Sequence, residues 1–509
     1  MKRILKATTN RLIIVSLLIL LQIVWMSMAF VWLAAYSRWI YMGLNLLSLL
    51  VVIYIINRKD NPAIKLAWVA LILLFPLLGG LLYLYTGNKQ PFRRIRRRIG
   101  PAIEESEQSL KEDPGLSNQV RREDPLVASQ IYYIQKESGF PAYRNSSVDY
   151  YPSGEECFPV ILEELDKAEK YIFLEYFIIE EGRVLDQVME ILEKKAGQGV
   201  DVRVLYDDMG SIGKVPWHYP DILKKKGIKC MPFNRYIPIF SIVFNTRDHR
   251  KLMVIDGKVA FTGGINLADE YVNLKQRFGY WKDNGLRIRG EAVHNMTIMF
   301  LQMWNAFSEE TLPYDSFHSP ACPGPDGEDG IVLPFSDDPL DSEKVGEGVF
   351  LNMINAATRY IWFFTPYLII DNELVTAMIL ASKRGVDVKI ITPGIPDKKI
   401  VYLVTQSYYS QLVEGGVKIY QYRPGFIHSK CAVSDDCVAT AGTMNLDYRS
   451  LYLHFENSVF LYRNRGVIQI RDDMEKTLKE SSIVTADQCH RTPVVRVLQS
   501  LLRIFSPLL

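Results

Sequence analysis

Three long apolar runs open the chain. No charged residue interrupts 12–36, 39–57 or 66–87. Each is long enough to cross ~30 Å of hydrocarbon as a helix. A signal peptide is the rival reading of the first, but its run exceeds the usual length and two more follow. Pro76, Gly79 and Gly80 allow the third to kink or re-enter. Further on, an apolar strand pattern at 168–179 leads into an amphipathic helix at 182–198. That helix ends at Gly197 and Gly199, and a second apolar strand follows at 200–205. The same sequence of strand, helix, glycine and strand returns at 357–370, 372–384, Gly385 and 386–391. This is a βαβ pattern around a buried sheet. It occurs twice, so an internal duplication is expected.

The rest of the chain is punctuation. Residues 308–344 are rich in Pro and Gly and carry ten acidic residues against one basic. That composition reads as a surface linker. The last stretch, 494–509, is apolar at 494, 498, 501, 502, 505, 508 and 509, with Arg496 and Arg503 between. It reads either as an amphipathic helix on a membrane surface or as a helix packed on its own domain. The expected organisation is an anchor at 1–88, a basic and polar connector at 89–130, a first half at 131–307, the linker at 308–344 and a second half at 345–509.

Charge changes this picture little in total and much in place. The 59 Lys and Arg nearly cancel the 57 Asp and Glu, leaving a formal charge of +2. That balance, with no basic stripe in the two halves, argues against nucleic acid as a partner. Lys2, Arg3, Lys6 and Arg11 precede the first run, and Lys89, Arg93, Arg94, Arg96, Arg97 and Arg98 follow the third. Both flanks call for the cytoplasm, yet three spans would part them. The denser second cluster places the large C-terminal part in the cytoplasm, on a multi-pass cell-membrane protein. The same cluster suits anionic headgroups. The six Cys show neither zinc spacing nor a disulfide framework.

The candidate chemistry rests on histidine. His249, Lys251, Asp256, Gly263, Gly264 and Asn266 form one series; His428, Lys430, Asp435, Gly442, Thr443 and Asn445 form another with identical offsets. A lone His-x-Lys is ordinary surface decoration, whereas two matching extended patterns are not. Residues two apart on a strand face the same side, so each His and Lys project together. A strand then leads to a turn at Asp256 and Gly257, and a second strand returns to Gly263 and Gly264. The glycines are expected to let backbone approach a ligand, and Asn266 adds an amide. Asp256 and Asp435 fall at turns, where they either hold the loop or touch substrate. Two imidazoles, two ammonium groups and two amides make a pocket for a phosphoryl group. One imidazole attacks phosphorus; the other protonates the leaving alkoxide and then deprotonates the incoming alcohol. Lysine charge serves the developing anion, and no carboxylate cluster for a metal is visible, so no cofactor is expected.

The doubled pattern resembles the signature of the phospholipase D superfamily over about residues 130–509. Within it, the chain looks like the bacterial cardiolipin synthase branch. The residues that carry this are 245–257, 261–266, Tyr280 to Asp283, Asn445 to Ser450, and Phe455 to Asn457, with Phe75 to Gly79 in the N-terminal part. The resemblance implies an α/β fold of two pseudo-symmetric α-β-α sandwich halves behind a transmembrane helical anchor. It counts His249, Lys251, Asp256, His428, Lys430 and Asp435 as the catalytic set, with His249 as nucleophile. It implies that Asp283 and Glu456 orient the histidines. The implied reaction joins two phosphatidylglycerols into cardiolipin and releases glycerol. Two spans are more familiar in that branch than three, which touches topology and not chemistry. Residues 236–240, apolar and just before the first motif, either face acyl chains or form a buried strand. Phosphatidylserine synthesis and phospholipid hydrolysis remain rivals for the same pocket. A nuclease lacks its basic stripe here, and a scaffold would not need both motifs.

Overall fold

The computed structural model describes residues 38–509 apart from 60, 84–89, 112, 236–245, 318–329, 342, 490 and 507–509, together with 20, 23–25, 27, 28 and 31. The described residues form two compact units. One comprises the N-terminal helices to Ile95 and the C-terminal helix Pro493–Phe505. The other comprises Arg96–Arg235 and Thr246–Thr492.

The first unit holds the described part of the expected anchor. Most of run 12–36 lies outside the described residues. Run 39–57 forms the helix Arg38–Ile56. Run 66–87 is broken into Pro62–Leu74 and Pro76–Leu82. The break follows from Pro76, which lacks an N–H and forces the residue before it out of the helical region. Phe75 accordingly sits at φ −135°, ψ 77°. Gly79 lets the second piece fold back, since a Cβ there would lie 2.7 Å from the Leu71 carbonyl oxygen. Among the described residues no helix is long and apolar enough to cross a membrane, so the spanning anchor is not confirmed. Val52, Ile55, Ile72 and Tyr83 make a small core with Trp68. Much of the remaining apolar surface, including Leu46, Leu50, Leu66, Leu73 and Leu74, is exposed.

The second unit holds the duplication. Its strands in chain order are β1 (Ser146–Tyr151), β2 (Tyr171–Tyr176), β3 (Asp201–Asp207), β4 (Lys229–Phe233), β5 (Lys251–Ile255), β6 (Val259–Gly263), β7 (Tyr280–Lys282) and β8 (Gly285–Gly290). There follow β9 (Ile331–Asp337), β10 (Tyr360–Phe364), β11 (Leu368–Ile369), β12 (Asp387–Pro393), β13 (Lys418–Tyr422), β14 (Gly425–Ile427) and β15 (Cys431–Ser434). The last four are β16 (Val438–Gly442), β17 (Leu446–Asp447), β18 (Glu456–Tyr462) and β19 (Ser481–Ile483). The first sheet runs β1-β8-β6-β5-β2-β3-β4, and the second runs β9-β18-β16-β15-β10-β12-β13-β19. Seven positions correspond one to one, and only β19 is extra.

The βαβ units are those the pattern implied. β2 pairs parallel with β3 across the helix Arg183–Gly197, and β10 with β12 across Asn372–Lys383. Gly199 (φ 92°) and Gly385 (φ 94°) take the left-handed turn between helix and strand. β5 and β6 form the hairpin expected at Asp256 and Gly257, and β15 and β16 its duplicate. β5 and β15 are buried along their whole length.

Two boundaries differ from expectation. The acidic linker contains β9, whose Ile331, Val332, Leu333 and Phe335 are buried as the edge of the second sheet. Overall composition hid this short apolar run. The connector is helical, with Pro114–Glu123 and Pro125–Ser138. The second of these packs on β9 and on the helix Val345–Ala356, tying the N-terminal side of the unit to its second half.

Candidate active site

Strand pairing between the halves builds the site. β14 pairs parallel with β7, so the chain entering His428 lies beside the chain entering Asp283. Asp248 bridges Phe455 in the same sense, so His249 lies beside Glu456. His428 N–H donates to the Lys282 carbonyl at 2.7 Å, and His249 N–H to the Phe455 carbonyl at 2.9 Å. Each half thus delivers a carboxylate to the other half's histidine. Asp283 Oδ2 lies 2.7 Å from His428 Nδ1. Glu456 lies 2.9 and 3.0 Å from His249 Nδ1 through its two oxygens. In this network the Nδ1–H donates and Nε2 is left as the basic nitrogen.

Each carboxylate is itself held. Asp283 accepts from the Asn284 N–H at 2.9 Å and from the Trp281 indole N–H at 3.2 Å. Gly264 makes room for it, because a Cβ there would lie 1.9 Å from Asp283 Oδ1. Glu456 accepts from the hydroxyls of Thr443 and Ser450. Thr443 occupies the place of Gly264 in the second motif, so a hydroxyl binds the carboxylate where in the first half the carboxylate packs on bare glycine backbone. Gly263 and Gly442 do something other than admit a ligand. Their missing side chains let the hairpins close on neighbouring backbone, with a Cβ 2.3 Å from the Asn284 carbonyl oxygen and 2.4 Å from that of Asn457.

The electrostatics follow from burial. Lys251 and Lys430 are both buried, and each Nζ donates to the carbonyl of its own motif histidine. Burial pulls their pKa down to about 8 and about 7. Burial and then the Lys430 charge pull His428 down to about 4, against the pull of Asp283. Burial, then Lys251 and Lys430, push His249 well below its usual value. Both imidazoles are therefore neutral at neutral pH in the free protein. Burial would raise Asp283, but His428 and Lys430 outweigh it and hold it low. Burial raises Glu456. An anion placed between the lysines would offset the cationic field and return basicity to the imidazoles.

Other sequence candidates fall elsewhere. Asp256 and Asp435 are not brought to the imidazoles. Asp256 accepts from the N–H groups of Glu169, Lys170 and Tyr171 at 2.7–2.9 Å. Asp435 accepts from those of Thr358, Arg359 and Tyr360 at 2.7–2.8 Å. Each sits at the far end of the strand that starts beside its histidine, and pins the start of β2 or β10. Asn266 uses its carbonyl oxygen on the Ile178 N–H at 2.9 Å. Asn445 Oδ1, in contrast, is buried without a hydrogen-bond partner among the described residues. Residues 236–240 lie outside the described residues.

The site has walls the motif did not announce. Tyr271, Trp281 and Phe426 surround His428 with ring centroids 5.3, 5.2 and 6.0 Å away. Phe177 meets His249 edge-on at 4.8 Å, and His454 lies 5.9 Å from it. Phe177 immediately follows β2 and His454 stands two residues before Glu456, so adjacency to known elements was the available signal. Two neutral imidazoles backed by carboxylates and flanked by two buried amines can transfer a phosphoryl group in two steps.

Comparison with known proteins bears on the family and the fold. The family described as cardiolipin synthase, phospholipase D-like domain, matches residues 161–304 and 350–478. The phospholipase D-nuclease N-terminal family matches 46–88. A protein of Streptococcus mutans described as uncharacterized is 41% identical over 90% of this chain and 99% of its own. A cardiolipin synthase of Geobacillus kaustophilus is 35% identical over 92% of this chain and 93% of its own. Among solved structures, a phosphatidylserine synthase of Haemophilus influenzae shares the fold. Its TM-score is 0.56 at 14% identity, covering 75% of this chain and 98% of its own.

Proposed function

Because the chain belongs to the cardiolipin synthase family of the phospholipase D superfamily, we propose that His249 and His428 divide one phosphatidyl transfer between them. The activity is that of a cardiolipin synthase, a phosphatidyltransferase acting on phospholipids. In our reading the donor and the acceptor are both phosphatidylglycerol. His249 Nε2 attacks the donor phosphorus, and the bond from phosphorus to the glycerol oxygen breaks. The bound phosphate offsets the lysine charges, so His428 Nε2 takes up a proton from water as the donor lipid binds; it gives that proton to the leaving oxygen, glycerol leaves neutral and the phosphatidyl group rests on His249. His428 then takes the proton of a terminal hydroxyl on the second phosphatidylglycerol. That oxygen attacks phosphorus, cardiolipin forms and His249 is freed. The steps balance without a co-reactant and run equally in reverse.

The observation that carries this reading is the reciprocal hold on the imidazoles. Each Nδ1 is bound by a buried carboxylate from the opposite half, which aims both Nε2 atoms while Lys251 and Lys430 supply positive charge. The aromatic wall around His428 favours exclusion of water, which favours transfer to a lipid alcohol over hydrolysis. The outward apolar faces of the first unit and the exposed Arg96, Arg97 and Arg98 support membrane association with the catalytic unit on the cytoplasmic side.

The test is direct. Purified protein in detergent receives phosphatidylglycerol alone, and products are read by mass spectrometry. Cardiolipin and glycerol should appear in equal amounts, and His249→Ala and His428→Ala should each abolish both. Phosphatidic acid as the main product would contradict the transfer reading.

A further inference from the structure

The duplication provides an internal comparison for His454. Counting back from the paired carboxylates, Asp283 and Glu456, His454 occupies the place of Trp281. The residues between them, Lys282 and Phe455, also match, since each carbonyl receives the N–H of a motif histidine. Trp281 uses its ring N–H on Asp283 at 3.2 Å. His454 makes no such bond to Glu456, whose oxygens already accept from Thr443, Ser450 and His249. So one half commits its ring donor to the carboxylate, and the other keeps its ring donor in reserve.

Burial, an unpartnered ring nitrogen and nearness to His249 characterise this reserve. His454 is only 9% exposed, and its Nδ1 is enclosed without a hydrogen-bond partner among the described residues. With nothing near Nδ1 to accept a proton, the neutral ring carries it on Nε2, and Nε2 is the edge through which a ligand can be met. Burial first and the neighbouring His249 next pull His454 down to about 3, so the ring stays neutral and donates without adding charge. The two rings lie 5.9 Å apart and are tilted by only 38°.

We propose that His454 is a further phosphoryl-binding residue, whose ring N–H donates to an oxygen of the phosphatidyl group while that group is carried by His249. This deepens the transfer reading and rests on it. The donor sits on the side where phosphorus remains between the two half-reactions. The aromatic side, at His428, is where alcohols come and go.

The test separates the first half-reaction from the second. A phosphatidyl ester of p-nitrophenol needs no acid to lose its leaving group, so it can load His249 in a His428→Ala background. The nitrophenolate burst gives the loading rate, and peptide mass spectrometry locates the phosphatidyl group. Removing one donor to a transition-state oxygen typically costs about 10²-fold or more. His454→Phe, which keeps a ring and loses the donor, should slow the burst by about that factor. His454→Asn, which restores an N–H, should recover part of the loss. An unchanged burst in His454→Phe would overturn the role of His454 alone. Slowing in both variants to the same extent would overturn it as well, because the loss would then follow shape and not the donor. Failure of the His428→Ala protein to load His249 would instead overturn the transfer reading on which it rests.

Discussion

At the scale of single residues, carboxylates decide how the histidines behave. Asp283 and Glu456 are buried and bonded only through geometry that also fixes the imidazoles. Asp283→Asn and Glu456→Gln preserve shape but no longer hold the tautomer or stabilise an imidazolium. Each should lower kcat by on the order of 10²- to 10⁴-fold, with KM changed far less, in steady-state assays of cardiolipin formation. The lysines set the pH response. A lysine is charged below its pKa, and those of the free protein lie at about 8 and about 7. Raising pH through this window discharges them before substrate binds, so kcat/KM, which already falls as His428 gives up its proton above about 4, should fall more steeply there. At saturation the bound phosphate keeps them charged, so kcat should hold to higher pH. His249 is already neutral well below its usual value, so kcat/KM should show no acid limb near 6.5. An acid limb there, or an alkaline fall shared equally by kcat, would contradict this assignment.

Elements show what was legible in the sequence and what was not. The βαβ repeats and both hairpins were visible because burial on both faces writes long apolar runs and because glycine marks each left-handed turn. The reciprocal carboxylates were visible only as positions after each motif. That they cross between halves depends on β7 meeting β14 and Asp248 meeting Phe455, contacts that no local pattern encodes. β9 was hidden in an acidic stretch, whereas the break at Pro76 was marked by the proline and glycines inside the third apolar run. The aspartates of the motifs carry a different lesson. A repeat offset of seven residues placed Asp256 and Asp435 in the pattern, yet a whole strand separates each from its histidine. Asp435 instead joins β10 to the hairpin through three backbone N–H groups. Those bonds outweigh burial and hold its pKa low. Asp435→Ala should therefore destabilise the catalytic unit by about 1–3 kcal/mol, seen as a lower denaturation midpoint, while kcat of the folded protein stays near wild type. A lost kcat at full stability would return Asp435 to the chemistry.

Across the whole molecule, a near-neutral total conceals segregated parts. One unit turns apolar side chains outward, and the other buries its charges as lysines, carboxylates and neutral imidazoles around a single site. Duplication makes that site nearly symmetric, and the departures from symmetry divide the labour. Gly264 against Thr443, and Trp281 against His454, make the two histidines unequal, as a two-step transfer requires. Such a transfer displaces at phosphorus twice. The most direct measurement of the central claim is the configuration at phosphorus, using phosphatidylglycerol made chiral there with oxygen isotopes and analysing the cardiolipin formed. Two in-line displacements through a phosphohistidine predict retention. Inversion would mean that one lipid alcohol attacks the other lipid's phosphorus directly, and would contradict the account.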